Sequence, residues 1–296
     1  MIRNKLFCFG LGYAAQVLAQ RLSAQGWLVA GTCRSEEQAG ALRSAGFAAY
    51  IFDRDRPLVP DNHPVSPEAL EKTTHVLVSV PPDAEGDPVI ARHWADLAAL
   101  KDLRWLGYLS TTGVYGSRDG GWVDEASELH PTSERSRWRV AAEAAWDQLR
   151  QVEGLPAHIF RLAGIYGPDR SAFDALRDGT ARRIDAGSQV FSRIHVDDIA
   201  NALIASMAKP RPGAIYNVCD DQPAAQADVV AHAAKLLGVP PPPLISLAEA
   251  NLSPMARSFY ADNKRVSNAL IKQELGVTLA YPDYRAGLVA ILAAGG

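Results

Sequence analysis

The sequence predicts an α/β fold: a doubly wound parallel sheet followed by a smaller C-terminal lobe. Three observations predict it. Short β-rich runs alternate with alanine-rich helical stretches, which is the pattern of parallel strands joined by crossover helices. The run 76–78 (VLV) has no polar alternation, as expected for a strand covered on both faces. A glycine turn at Gly10 and Gly12 joins the first apolar run to an amphipathic helix.

Strands and helices alternate in order along the first half of the chain. We predict strands at 5–9, 28–33, 48–52, 75–79, 103–110 and 157–161. We predict helices at 14–25, 36–45, 88–100 and 135–152. After residue 166 the pattern loosens, with a strand near 214–218, a helix at 227–237 and then four prolines at 240–243. These assignments predict a main domain over 1–166 and a smaller lobe over 167–296, parts of which return to the main sheet.

The composition argues against several classes of protein. The 296 residues are 48% hydrophobic, which is ample for a buried core. A formal net charge of −3 creates no field that would recruit nucleic acid or an anionic membrane. The three cysteines, Cys8, Cys33 and Cys219, are sparse and far apart, which indicates reduced thiols. We recognise no signal peptide, bilayer-spanning segment or metal-ligand spacing, so we expect a cytoplasmic protein without a metal site.

The glycine turn has the spacing of a dinucleotide-binding fingerprint. Gly10, Gly12 and Ala15 form G-x-G-x-x-A between the first predicted strand and the first predicted helix. Gly10 allows the tight turn, Gly12 lets the backbone approach a pyrophosphate, and Ala15 allows close helix–strand packing. The pyrophosphate would lie at the helix N-terminus, where free N–H groups favour an anion. The alternative is a strand–helix turn without a ligand, but the ordered strand, glycines, helix and second strand favour a Rossmann-type site.

The end of the second predicted strand bears on which dinucleotide is bound. An NAD-binding domain usually has an acidic residue here for the ribose 2′-OH, whereas a cation accommodates the 2′-phosphate of NADP. Arg34 is that cation, and Ser35 adds a further donor. Glu36 and Glu37 could turn back to the ribose, or simply charge the first turn of the next helix. We therefore predict NADP as the cofactor, with NAD as the alternative.

Five further motifs follow one another along the chain. They are 109–116 (LSTTGVYG), 161–168 (RLAGIYGP), 193–198 (RIHVDD), 216–218 (YNV) and 263–268 (NKRVSN) with 274–276 (ELG). In this order they resemble the motifs of the extended short-chain dehydrogenase/reductases, the NAD(P)-dependent epimerase/dehydratase family. The resemblance implies a Rossmann domain with a substrate lobe. It also implies that Asp53 hydrogen-bonds adenine and that Tyr13 and Val80 contact the cofactor. Family members often dimerise through helices of the main domain, so the resemblance leaves a homodimer open.

The resemblance also identifies three candidate catalytic residues. Thr111 matches the family's catalytic Ser/Thr, and the family's Tyr-x-x-x-Lys should occupy positions 135 and 139. Arg135 and Arg139 stand there instead. Arginine stays protonated and cannot act as a general acid/base near pH 7, although Arg139 can still donate to a ribose hydroxyl. The alternative for both arginines is a solvated helix face.

Other residues could replace the missing tyrosine. Tyr115, Tyr166 and His195 lie in family motifs, but core packing or local hydrogen bonding is the more ordinary role for each. Dehydratases of the family carry an Asp-Glu pair after the threonine, whereas this chain has Thr112 and Gly113, which argues against sugar dehydration.

Two functional hypotheses remain from the sequence. The first is an atypical NADP-binding oxidoreductase or epimerase-like protein that acts on a small, sugar-like or anionic substrate, with neither nucleic acid nor membrane as a partner. The second is a non-catalytic NAD(P)-binding sensor or regulatory protein.

Overall fold

The computed structural model describes residues 3–58 and 68–295. Its helices are α1 Tyr13–Ala24, α2 Glu36–Ser44, α3 Pro88–Ala98, α4 Glu134–Glu153, α5 Ala172–Arg177, α6 Val196–Ala208, α7 Gln226–Leu237, α8 Pro254–Phe259, α9 Ala269–Leu275 and α10 Tyr284–Ala293. Its strands are β1 Lys5–Phe9, β2 Leu28–Cys33, β3 Ala48–Ile51, β4 His75–Val78, β5 Trp105–Thr111, β6 Trp122–Val123, β7 Ala157–Leu162, β8 Gly164–Tyr166, β9 Arg183–Asp185, β10 Arg193–His195, β11 Ile215–Val218, β12 Leu244–Ser246 and β13 Arg265–Val266.

The central sheet is parallel and has seven strands in the order β11-β7-β5-β4-β1-β2-β3. Phe7 on β1 pairs with Ala30 on β2 and with Val76 on β4. The strand order runs outward in both directions from the β1–β4 pair, as in a doubly wound Rossmann sheet. The predicted fold class and the predicted strands and helices of the first half are confirmed.

The apolar alternation of strands and helices places the core on the sheet. Phe7 and Phe9 of β1 are fully buried, with Val76 of β4 and Leu106 of β5. Trp146 of α4 is buried against the same cluster. A strand with helices on both of its faces can bury every side chain, which explains the unbroken apolar runs.

Two compact units share the chain. The first comprises residues 1–111, 134–161 and 202–215, and the second comprises 112–133, 162–201 and 216–296. Each unit is built from several separate segments, and the segment 202–215 belongs to the first unit. The predicted division of the chain at residue 166 stays a prediction.

The second unit has its own small sheets and core. Its parallel strand pairs are β8 with β10, β9 with β12, and β6 with β13. Phe173 of α5 and Leu288 of α10 are buried in one apolar cluster of this unit. Of the helices in the described part of the chain, none is both long and apolar enough to cross a membrane.

Candidate dinucleotide-binding and active site

The parallel strands β1 to β5 bring most of the predicted site to one edge of the first unit. The residues at or just after their carboxyl ends are Gly10, Arg34, Asp53, Val80 and Thr111. In an open α/β sheet, ligands bind beyond the carboxyl ends of the strands, where the strand order reverses. That reversal lies between β1 and β4, so the topology places the glycine turn at the expected crevice.

Position 10 requires glycine because of its backbone conformation and because of the atoms packed beside it. Its φ is +86°, a left-handed conformation that favours glycine. A Cβ atom at this position would lie 2.7 Å from Ser79 Oγ and 3.2 Å from the backbone nitrogen of Val80. The Ser79 hydroxyl donates to the Gly10 carbonyl. The turn after β1 and the turn after β4 are therefore packed directly against each other.

Gly12 differs from Gly10 because the space beside it is open. A Cβ atom added there would have no heavy atom within 4 Å. Gly12 is the N-cap of α1, and no side chain caps the helix. The N–H groups of the first turn therefore face an open approach, which suits a pyrophosphate. Ala15 is buried and Tyr13, the first residue of α1, is half-buried.

At the end of β2, the structure separates the roles of neighbouring polar residues. Ser35 is the N-cap of α2, and its hydroxyl accepts the Gln38 N–H at 3.3 Å. The Glu36 carboxylate turns along the helix to Arg43, at 3.4 Å. Within the described residues the guanidinium of Arg34 has no hydrogen-bond or ion-pair partner. Arg34 is thus an exposed cation at the position where a ribose 2′-substituent would lie.

The carboxylate of Asp53 binds Arg56, a residue that the sequence analysis did not single out. Its Oδ1 accepts the N–H groups of Asp55 at 3.1 Å and Arg56 at 2.9 Å. Its Oδ2 accepts Arg56 Nε at 2.9 Å and a second bond from the same guanidinium. These bonds hold the pKa of Asp53 below its usual value. The adenine contact of Asp53 stays a prediction, and an amino group would have to share a carboxylate that already accepts four bonds.

Arg139 of α4 lies against the carboxyl end of β5. Its Nη1 donates to the Leu109 carbonyl at 2.5 Å and to the Tyr108 hydroxyl at 3.1 Å. The Tyr108 side chain is fully buried, and burial raises its pKa, which favours the protonated phenol. The other nitrogens of the Arg139 guanidinium remain available to a ligand.

A buried ionic cluster fixes α4 to the same strand end. Glu143 accepts the Ser110 hydroxyl at 2.5 Å and Arg161 Nη2 at 2.7 Å, and all three side chains are buried. Thr111, the last residue of β5, therefore follows two residues that are tied to α4, through Arg139 and Glu143. These contacts bring the end of β5 and α4 together, while the catalytic roles of Thr111, Arg135 and Arg139 stay predictions.

Arg135 lies one helical turn before Arg139 on the same face of α4. Its side chain is exposed and has no hydrogen-bond or ion-pair partner among the described residues. The guanidinium is therefore free to meet an anion.

A buried carboxylate near Arg139 also escaped the sequence analysis. Asp87 caps α3 by accepting the Val89 N–H at 2.8 Å, and it accepts Trp146 Nε1 at 3.1 Å. Burial raises the pKa of Asp87, and the hydrogen bonds and the charge of Arg139 oppose that rise. The sequence signal available was an Asp before Pro88, a common N-cap pattern.

The three alternative acid/bases are buried in the second unit. Tyr115 donates its hydroxyl to Asn217 at 2.7 Å. Tyr166 donates to the Asp283 carbonyl at 3.3 Å, and burial raises its pKa. The His195 ring lies edge-on to Tyr166, with centroids 5.2 Å apart. These contacts are those of packed core groups.

One Tyr-x-x-x-Lys does occur in the sequence, from Tyr260 to Lys264. Tyr260 is the C-cap of α8, and residues 261–264 are not helical. The two side chains are therefore not one helical turn apart. Lys264 instead pairs with Asp262 at 3.6 Å.

Residues 89–219 match the sequence profile described as the NAD dependent epimerase/dehydratase family. Residues 89–219 form a domain of this family. The solved structures that the chain is similar to include a conserved, functionally unknown protein from Silicibacter pomeroyi DSS. The two sequences are 50% identical, the TM-score is 0.88, and the match covers 98% of this chain and 99% of the other.

Two curated relatives extend the comparison over most of the chain. Protein YeeZ of Escherichia coli K12 is 28% identical over 285 residues, covering 95% of this chain and 97% of YeeZ. The 3-diazoavenalumate denitrifying reductase of a Streptomyces species is 28% identical, covering 84% of this chain and 93% of the reductase. The family description specifies a nicotinamide dinucleotide. In the described parts of the chain, no group of three or more His, Cys, Asp or Glu could hold a metal ion.

Proposed function

We propose that this protein is an NADP-dependent reductase that acts on a small, anionic or sugar-like substrate. The observation that carries the proposal is the carboxyl edge of the sheet, where the open N-terminus of α1 at Gly12 and the unpartnered cation Arg34 follow adjacent strands. The first suits a pyrophosphate and the second suits a 2′-phosphate.

The bound cofactor would supply or accept a hydride. Arg139 would hold the nicotinamide ribose through the guanidinium nitrogens that do not bind Leu109 and Tyr108. Thr111 would orient the substrate by its hydroxyl. Arg135 would pair with an anionic group of the substrate, because a guanidinium offers a fork of donors and a permanent charge but no exchangeable proton.

A reductase agrees with the name of one relative, a denitrifying reductase that is similar over most of its length. It also agrees with the residues at positions 135 and 139. Two arginines would stabilise negative charge that develops in the transition state. In many enzymes such electrostatic stabilisation contributes more to the rate than proton transfer does. A substrate reduced at an electron-poor centre depends less on a phenol donor than a simple ketone does.

The alternative is a sensor that binds NAD(P) without turnover. The absence of a tyrosine at position 135 favours it, because the usual proton relay is missing there. An exposed arginine without a partner at that position favours the reductase instead, since it provides a binding group beyond what cofactor capture alone requires.

The test measures cofactor binding and turnover together. Calorimetry with NADPH and NADH should show tighter binding of NADPH to the wild-type protein, and Arg34→Ala should remove most of the difference. Equal affinities in the wild type would overturn the NADP assignment. A screen at 340 nm should then find NADPH oxidation with an anionic carbonyl or other electron-poor acceptor. Tight NADPH binding with no turnover across such a panel would favour the sensor.

A further inference from the structure

The carboxyl ends of β2 and β3 lie side by side, since Cys33 pairs with Ile51 in the parallel register. The residues just after them therefore share one edge of the first unit. Arg56 Nη2 donates to the backbone carbonyl of Arg34 at 2.8 Å. A second arginine thus lies against the residue proposed to contact the 2′-phosphate, although it is 22 positions further along the chain.

Two arginines follow β3, and their environments differ. The Arg54 side chain is 17% exposed, and its guanidinium is bound to Asp83, to Glu85 and to the Gly86 carbonyl. Its donors are occupied by the turn after β4. The Arg56 side chain is 55% exposed, and its Nη1 has no partner among the described residues. Arg56 therefore has a donor free for a ligand, whereas Arg54 is a structural residue.

We propose that Arg56 is a second contact for the 2′-phosphate of NADP, and that it forms a two-arginine clamp with Arg34. This inference rests on the proposed NADP site. A phosphate monoester carries nearly two negative charges and three acceptor oxygens, and arginine matches it with parallel N–H donors. A single guanidinium leaves part of that charge uncompensated, and a second one at the same edge can pair with it.

Asp53 is the positioning residue of this clamp. It grips one side of the Arg56 guanidinium, while the Arg34 carbonyl receives another N–H. A long, exposed side chain is thereby held in one orientation before a ligand arrives, which reduces the entropy lost on binding. This role differs from the adenine contact that the family resemblance implies for the same carboxylate.

The surrounding carboxylates explain why two arginines are needed. Asp53, Asp55 and Glu36 all lie close enough to Arg56 to raise its pKa. Their negative charge opposes an incoming phosphate. With one arginine removed, the remaining one must offset both the carboxylates and the phosphate. We therefore expect the loss of either arginine to remove most of the preference for NADPH.

The experiment is calorimetric titration of the full-length protein with NADPH and NADH, in the wild type and in Arg34→Ala, Arg56→Ala and Asp53→Asn. Arg104→Ala serves as the matched control. It removes the same charge from the first unit, but its residue precedes β5 at the opposite, amino edge of the sheet. Arg56→Ala should weaken NADPH binding roughly 10- to 100-fold, as the loss of a charge-assisted contact does, and should leave NADH binding within about twofold.

Asp53→Asn separates the two roles of that carboxylate. If Asp53 positions Arg56, the substitution weakens NADPH binding and leaves NADH binding unchanged. If Asp53 instead binds adenine, both cofactors weaken by the same factor, and the positioning role is wrong. A wild type that prefers NADPH, with the preference lost in Arg34→Ala and kept in Arg56→Ala, would overturn the clamp while the proposed function stands. A wild type without any preference would overturn the NADP site itself.

Discussion

The Ser110 hydroxyl lies 2.5 Å from Glu143 Oε1, and Glu143 in turn is gripped by Arg161. This relationship joins the end of β5 to the middle of α4 and continues to β7. Its three side chains are buried, so each depends on the others for its hydrogen bonds. The cluster holds α4 beside Thr111, and so holds the two arginines of the candidate active site in place.

Replacement of Glu143 by Gln should be strongly destabilising. The amide would leave the Arg161 charge buried without a carboxylate, and breaking a buried pair in this way costs about 3–5 kcal/mol. Urea unfolding monitored by circular dichroism measures the loss. Glu153→Gln, at the exposed end of the same helix, is the control and should change stability by less than about 0.5 kcal/mol. A loss below about 1 kcal/mol in Glu143→Gln would contradict the buried-pair account.

Substitutions at the two glycines of the turn should have different effects: at Gly10 mainly a loss of stability, and at Gly12 mainly a loss of cofactor binding. Gly10→Ala forces a Cβ to 2.7 Å from Ser79 Oγ in a left-handed conformation, so we expect a loss of about 1–3 kcal/mol in stability. Gly12→Val adds a Cβ atom that meets no protein atom within 4 Å. It should cost only about 1 kcal/mol, because valine is a poor N-cap, yet abolish cofactor binding. Thermal unfolding and calorimetry together distinguish the pair. Unchanged affinity in Gly12→Val would show that the dinucleotide does not bind at this turn.

The double substitution Arg135→Tyr with Arg139→Lys tests whether positions 135 and 139 face the reacting groups. It places a phenol and an ammonium one turn apart on α4, and the lysine charge should lower the pKa of the phenol. NADPH-dependent reduction of a generic carbonyl should then rise by roughly 100- to 10,000-fold, the contribution typical of general acid/base catalysis. Initial rates at saturating NADPH measure the gain. Arg137→Tyr with Arg139→Lys is the control, because position 137 lies on another face of the helix.

If the double variant binds NADPH but shows no gain, position 135 does not face the reacting carbon. Arg135→Ala gives the complementary result. A rise in KM for an anionic substrate, with little change for a neutral one, would show that this arginine anchors the substrate.

The pH dependence of the unfolding free energy should carry a contribution from Asp220. Its carboxyl is buried, Oδ2 has no partner among the described residues, and burial raises its pKa to about 8. Arg193 opposes that rise, while Asp221 and Asp283 add to it. Between about pH 4 and pH 8 the unfolded chain loses this proton and the folded chain keeps it. The unfolding free energy should therefore fall as pH rises, by up to about 1.4 kcal/mol per pH unit.

Asp220→Asn removes that proton and with it this part of the pH dependence. Urea unfolding at pH 5, 6.5 and 8 should show the wild type losing stability relative to the variant as the pH increases. Parallel curves for the two proteins would show that Asp220 is ionised in the folded state.

Much of the fold could be predicted because its signals are local. The apolar run of β1, the glycines that end it and the helix that follows occupy consecutive positions, and each strand carries its own burial pattern. The parallel arrangement then follows from the crossover helices. The same logic placed Arg34 and Thr111 at strand ends. The small strand pairs of the second unit, such as β6 with β13, were not predicted, because two- and three-residue strands carry no periodicity.

The sequence by itself predicted a Rossmann sheet with a glycine turn after its first strand, and it places arginines at positions 135 and 139, where the family resemblance implies a tyrosine and a lysine. Only the tertiary structure decided which polar groups remain free. Arg56 meets Arg34 across 22 positions and Glu143 meets Arg161 across 18, and no local pattern specifies such contacts. The physical reason is that burial and hydrogen bonding depend on the packed environment, which also left Arg135 exposed and placed Tyr115 and Tyr166 in the core.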